Sequence, residues 1–261
     1  MANNFHIYIV SLHQETHRRA RLTKLLTEAG LMSDSTFMPA VHKDYITQNY
    51  LHAMQYNIFD RWDYLPISAY HSGIRVGEVA CCIGHLQCWE AAYHSDFEHA
   101  IILEDDCYWE GDFAKEIKDA IEFNKDYKYG VGYLGRIPIE LKGEAYRAIP
   151  FGGVDEPKLT DKYNLAGFSY NLHAYLINRR SASAILSQSV EGALMTPDEI
   201  IPALCGTNPH PFISQRFPKA FDAFALHQEI DKDNIGHGIA WQKYDGSTSR
   251  SLLTNSKVYD E

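Results

Sequence analysis

The chain has 261 residues, 45% of them hydrophobic and 22% charged, with no low-complexity tract; that suffices for one sizeable core and excludes both a disordered chain and a small disulfide-stapled scaffold. Lys and Arg number 24 against 34 Asp and Glu, a net charge of −10, and no basic stripe is present, so general nucleic-acid binding is disfavoured. The five cysteines, Cys81, Cys82, Cys88, Cys107 and Cys205, are odd in number and lack framework spacing, so they read as reduced thiols.

With no leader-like start and no long apolar run, the expected location is cytoplasmic, without a transmembrane segment; peripheral membrane contact and oligomeric state are left open. In chain order, Phe5–Leu12 is β-branched and aromatic and reads as a strand. Leu22, Leu25, Leu26 and Ala29 then recur at helical spacing up to Gly30. Ser35–Val41 predicts a second, parallel strand. Residues 44–74, rich in Tyr, Asn and Trp without clear period, predict an active-site loop or small lobe. A helix is expected from Gly77 to about Tyr93. His99–Leu103 is a short continuous apolar run of the kind buried on both faces of a parallel sheet, and it ends directly in Glu104, Asp105 and Asp106. Asp112 caps a helix through about Phe123, and Val131–Leu134 reads as another central strand. Residues 136–168, with Pro138, Pro150 and Pro157, predict a long excursion rather than a regular element. Leu172–Ile177 is a strand and Ser181–Val190 a helix, while Thr196-Pro197-Asp198-Glu199 opens a further helix with proline in its first turn. Strands alternating with helices predict an α/β fold around a mostly parallel, doubly wound sheet. The polar tail after about Ala240 is expected to fold only over a ligand.

Three consecutive carboxylates at the end of a buried strand repel one another unless a cation or hydrogen bonds intervene. In an extended segment Glu104 and Asp106 point to one side and Asp105 to the other. The outer pair is then set to meet a hard divalent cation, Mg²⁺ or Mn²⁺, and a nucleotide. The plainer reading is that acidic residues finish a strand and cap a turn. Cys81, His85 and Cys88 share one face of the 77–93 helix, but without a second ligand pair they are more often buried core thiols than a zinc site; His85 is a candidate for lining a substrate cleft. Asp198 and Glu199 occupy a first helical turn, where a carboxylate serves as readily for capping as for catalysis. Arg18 and Arg19 can reach a phosphate, and His237 can offer an imidazole to a metal from a glycine-flanked loop, although solvated basic residues and unligated histidines are the commoner cases.

Taken in order, these blocks resemble glycosyltransferase family 25. Ile7–Leu12 followed by His17-Arg18-Arg19 is similar to the family's opening strand and Asp-Arg-Arg signature, with Ser11 and His17 in place of the usual Asn and Asp. Ala40–Lys43 resembles its Ala-Val-Asp-Gly segment, with His42 as the departure. Gly77–His85 with Trp89 is similar to its Gly-Glu-x-x-Cys-x-x-Ser-His block, and Ala100–Asp106 to its strand and acidic triplet. Tyr133–Arg136, Phe168–Ile177 and Thr196–Pro202 look closer to the procollagen-type branch than to the bacterial one.

The resemblance implies a GT-A nucleotide-sugar fold, a divalent metal, usually Mn²⁺, and a UDP-hexose donor such as UDP-galactose or UDP-glucose. It implies transfer with inversion to a hydroxyl of a glycan or hydroxylysine-type protein. One domain over residues 1–261 is expected, with 1–135 mainly holding the nucleotide sugar and 136–261 mainly the acceptor and the C-terminal tail. Carried over by position, Glu104 and Asp106 match the metal motif, Asp105 and Glu104 its nucleotide contact, and His237 falls near a histidine that would be a third ligand. Asp198 matches the aspartate of a Pro-x-Asp-Glu-like segment and would be the base, with Glu199 as the alternative. Ser11, Leu12 and Arg18 would border the uridine, and Gly77, Glu78 and His85 would shape the donor side. The rival readings are a non-catalytic nucleotide- or glycan-binding relative and a hydrolase of nucleotide sugars.

Overall fold

A computed structural model describes residues 4–61, 74–142, 145–148, 155–227 and 237–242. Its first strand, β1 (Phe5–Ser11), shows how the layers arise. Ile7 and Ile9 enter one core and Tyr8 the other, because successive side chains of a strand face opposite ways. The same alternation separates Ile101 and Leu103 from Ala100 and Ile102 in β3 (His99–Glu104), and Ala174 and Leu176 from Tyr175 and Ile177 in β8 (Ser169–Asn178). On the first face pack α1 (Thr16–Glu28) through Leu22 and Leu26 and α4 (Phe113–Phe123) through Phe113 and Ile117. On the second pack α3 (Val76–His94), α5 (Arg179–Leu186) and α6 (Pro197–Leu204). The expected α/β class, a central sheet flanked by helices, is what the chain forms.

The main path of the sheet runs β2 (Ser35–Pro39), β1, β3, β8, β5 (Tyr129–Lys142), β9 (Asp222–Leu226), β7 (Tyr163–Leu165). β1 pairs in parallel with β2 and β3, and β5 with β9; β8 is antiparallel to β3 and β5, and β7 to β9. Five of these seven strands therefore point one way. The direction of β8 was not written in its residues, because an apolar run covered on both faces fits either neighbour arrangement.

Residues 136–168 are more regular than their prolines suggest. β5 continues to Lys142 and pairs with β6 (Ala145–Ala148), and β7 lies on β9. Pro138 is accommodated opposite Ser169, just beyond an irregularity in the β5–β8 register, the kind of place where a missing N–H is tolerated. The helix read over 181–190 starts earlier, at Arg179 behind the Asn178 cap, and stops at Leu186. Part of the 44–74 stretch forms α2 (Gln48–Ala53), and Phe59 bonds to the Leu194 carbonyl at 3.0 Å, tying this stretch to the approach to α6; residues 62–73 lie outside the described residues, as does the tail from 243. Two short strands complete the description: β10 (His237–Gly238) pairs with β5, and β11 (Ala240–Gln242) with β4 (Cys107–Trp109). All five cysteines are free thiols, and no helix among the described residues is long and apolar enough to cross a membrane.

Candidate active site

β1 and β3 end side by side, Val10 opposite Glu104, and beyond their carboxyl ends opens a cleft of about 360 Å³, a volume typical of small-molecule sites and a place where parallel sheets bind ligands. Ser11 and Leu12 reach it from the end of β1, Arg18 from α1, Gly77 and Glu78 from the first turn of α3, the acidic triplet from β3, and Asp198 from α6. Residues scattered over almost 190 positions of sequence thus share one cavity.

The alternation expected for the triplet stops at Glu104, because residues 105 and 106 form a turn. All three carboxylates therefore line the same cleft, Asp105 included. Asp105 is held from two sides. Its N–H donates to the Val10 carbonyl at 3.2 Å, and its carboxylate accepts from Arg18 Nη1 at 3.0 Å. Arg21, which sequence reasoning passed over, donates to the carbonyls of Asp105 and Cys107 and lies 3.7 Å over the Tyr108 ring. Its three-residue spacing from Arg18 on α1 is the signal that was available. Arg19 turns away and stacks on Phe37 at 4.3 Å. Arg18 matches the charge of Asp105, and the carboxylates of Glu104 and Asp106 are the hard oxygen donors that Mg²⁺ or Mn²⁺ prefers.

His85 does not line the cleft. It is 0% exposed, stacked on Tyr175 of β8, and it meets the cleft through Glu104. Trp89 Nε1 donates to the Tyr175 hydroxyl at 2.8 Å, Tyr175 lies 2.8 Å from His85 Nδ1, and His85 Nε2 lies 3.2 Å from Glu104 Oε1. Burial holds the imidazole pKa down at about 4, so it is neutral. A carboxylate only accepts, so Nε2–H donates to Glu104 and Nδ1 accepts from Tyr175. Cys81, one turn before His85, reaches the same oxygen at 4.0 Å. Cys88 does not join them and sits in the core. Glu78 accepts from the Arg75 N–H at 2.7 Å, closing the start of α3, while burial raises its pKa.

Of the two acidic residues on α6, Asp198 lines the cleft and Glu199 does not. Glu199 is buried and accepts from the Tyr170 hydroxyl and Asn208 Nδ2. Asp198 Oδ1 accepts from the Leu172 N–H at 2.9 Å. Burial and then the charge of Glu104 raise its pKa to about 6. The amide that holds Asp198 follows Asn171, a cleft residue whose φ of +62° lies in the left-handed region. Such a backbone in a non-glycine residue is uncommon and concentrates at functional sites. No pattern in the sequence marks Asn171, and of His42 and Lys43, which also line the cleft, His42 stands out only as a departure from a motif and Lys43 only as the end of that motif. Among the described residues of the 44–74 stretch, none lines it. The backbone of His237 pairs with Arg136 of β5 on the side away from β8, at the same end of the sheet but three strand intervals from β3, roughly 14 Å laterally.

The family model for glycosyltransferase family 25 (LPS biosynthesis protein) matches residues 4–136, just over half of the chain. The chain belongs to glycosyltransferase family 25. A Drosophila melanogaster family 25 member is 25% identical over 227 residues, covering 84% of this chain and 34% of the relative. Human procollagen galactosyltransferase 2 is 23% identical, with 84% and 34% covered. A rat relative named a probable inactive glycosyltransferase 25 family member 3 is also 23% identical, with 84% and 36% covered. The chain spans about a third of the length of these family 25 relatives. Among solved structures, A197 from STIV aligns over 92% of this chain and 94% of its own, with a TM-score of 0.37 and 12% identity.

Proposed function

We propose that this family 25 chain transfers a hexose, galactose or glucose, from a UDP-sugar to a hydroxyl of a glycan or a hydroxylysine-type protein, with inversion. The observation that carries this reading is the single cleft in which the acidic triplet at the end of β3 faces Asp198 on α6. Glu104 and Asp106 would hold a divalent cation, with His237 as a third candidate ligand; when bound, such an ion supplies positive charge to the departing diphosphate. Ser11, Leu12 and Arg18 border the uridine side, and Gly77 and Glu78 the sugar side. His85 acts one step back, fixing Glu104. Asp198 takes the proton of the attacking hydroxyl. The Leu172 N–H orients its carboxylate, and its pKa of about 6 leaves it ionised at neutral pH yet basic enough to accept. Attack from the face opposite UDP passes through an oxocarbenium-like state and needs one base only.

Calorimetric titration of UDP, UDP-galactose, UDP-glucose and GDP-mannose with and without Mn²⁺ tests the donor site. One UDP-sugar is expected to bind, and only with Mn²⁺. Asp106→Asn should abolish that binding. Asp198→Asn should keep it and lose transfer. The rat relative's name keeps a second reading in view, a binding protein without catalysis; absence of nucleotide binding under every condition would favour it and overturn the transferase assignment.

A further inference from the structure

Cys81 and His85 stand one turn apart on α3, and both point at one carboxylate oxygen, Glu104 Oε1, at 4.0 and 3.2 Å. The thiol, the imidazole nitrogen and the carboxylate oxygen all lie within 4.8 Å of one another. Tetrahedral coordination by ligands about 2.0–2.3 Å from a zinc ion would hold such atoms some 3.3–3.6 Å apart, so small side-chain rotations close the set. We propose that Cys81, His85 and Glu104 form a binding site for a thiophilic divalent cation, Zn²⁺ or Cd²⁺, at the floor of the cleft.

Three features support the assignment. An i, i+4 pair on a long helix fixes two ligands without loop entropy, and Gly84, between them, lets the helix approach β1 so closely that a Cβ there would stand 2.7 Å from Val10 Cγ1. The group that would orient the imidazole is within reach, Tyr175 Oη standing 2.8 Å from His85 Nδ1, although the direction of that hydrogen bond must reverse. On metal binding His85 takes the Nδ1–H tautomer and donates to the Tyr175 oxygen, the outer-shell bond that orients metal-ligating histidines. Entry is available as well, because Cys81 and Glu104 line the cleft. Binding replaces the His85–Glu104 hydrogen bond and releases one proton, that of the Cys81 thiol. The fourth position opens to the cleft on the side of Asp198, an electrostatic neighbour of both Cys81 and His85. This donor set differs in kind from the all-oxygen set of the triplet, and thiolate selects zinc or cadmium over manganese or magnesium. Because Glu104 belongs to both sets, an occupied thiolate site withdraws it from the cation site of the proposed transferase; that inhibitory consequence rests on the transferase reading, whereas the site itself does not.

The test uses the full chain, reduced and freed of metal, with no nucleotide present. Titration with Cd²⁺ should raise a thiolate-to-metal charge-transfer band that saturates at one equivalent and is lost in Cys81→Ser. The other four cysteines are buried and serve as internal controls. X-ray absorption of the unmodified protein loaded with one equivalent of Zn²⁺ should show one sulfur neighbour at about 2.3 Å with nitrogen and oxygen neighbours at about 2.0–2.1 Å. No band, a band undiminished in Cys81→Ser, or a zinc shell with no sulfur or with two would overturn the site. In a parallel titration Zn²⁺ should suppress Mn²⁺-dependent UDP-sugar binding. A cadmium band without any nucleotide binding refutes the transferase reading alone, and nucleotide binding without the band refutes this site alone.

Discussion

A carboxylate that takes a proton from a hydroxyl has to be ionised, yet burial and the neighbouring Glu104 both favour the protonated form of Asp198 and lift its pKa from 3.8 to about 6. As the proposed base, Asp198 is therefore competent only above that value. Transfer should fall about tenfold per pH unit on the acid side of pH 6 and level off above it, a limb that a pH–rate profile with saturating donor reads directly. A profile flat down to pH 4.5 would remove Asp198 from the base role. The amide that restrains this carboxylate depends on Asn171, whose left-handed backbone costs an ordinary side chain roughly 1–2 kcal/mol and a β-branched one more. Asn171→Gly should melt close to the unsubstituted protein and keep transfer within a few-fold. Asn171→Val should lose about 1–3 kcal/mol in denaturant unfolding and most of its kcat, because the Leu172 N–H moves off Asp198. Equal behaviour of the two variants would show that the backbone there carries no strain.

At the scale of elements, the junction of α3 with β1 positions both the floor of the cleft and its mouth. The contact is set by Gly84, where an added Cβ would meet Val10 Cγ1 at 2.7 Å, and Val10 itself lines the cleft. Gly84→Ala should destabilise the fold by about 1–3 kcal/mol, the range for overpacking, and weaken donor binding as Val10 or the helix shifts. The double variant Gly84→Ala/Val10→Ala should recover most of the stability, giving a coupling that a double-mutant cycle measures; additive losses would place the strain elsewhere. This junction also shows what the residues disclosed by themselves. The strand–helix–strand opening, the long helix from 76 and the acidic strand end were legible because period, caps and breaker residues encode them locally. The antiparallel course of β8 was not, since it depends on which neighbours cover an apolar run. The motif around His85 marks the residue without marking its depth; only the packing of α3 shows that it meets the cleft by way of Glu104. The turn at 105–106, fastened by Arg21, likewise overrides the local alternation of an extended strand.

Across the whole molecule, the cleft draws on residues from Val10 to Asp198, and the segment 237–242 is the strap that returns across the sheet. It pairs with β5 at Arg136 and Gly135, and with β4 just after the acidic triplet. Its passage is tight: His173 Nε2 donates to the Ala240 carbonyl at 2.9 Å, the Ile239 N–H donates to the Leu134 carbonyl at 2.8 Å, and a Cβ on Gly135 would stand 2.1 Å from the Ala240 oxygen and 2.3 Å from His173 Nε2. Unlike the clash at Gly84, this one is with backbone and cannot be relieved by turning a side chain. Gly135→Ala should therefore lift the strap while leaving the β1–β3 core in place. Hydrogen exchange should show the Ile239 amide losing protection while the amides of Ile9 and Ile101 keep theirs. If His237 contributes to the cation site, the same variant should weaken Mn²⁺-dependent donor binding although it alters no cleft-lining residue. Retained protection at Ile239 would mean that the strap tolerates a wider seat. Lost protection with unchanged Mn²⁺ affinity would remove His237 from the ligand set and leave the carboxylates to hold the ion.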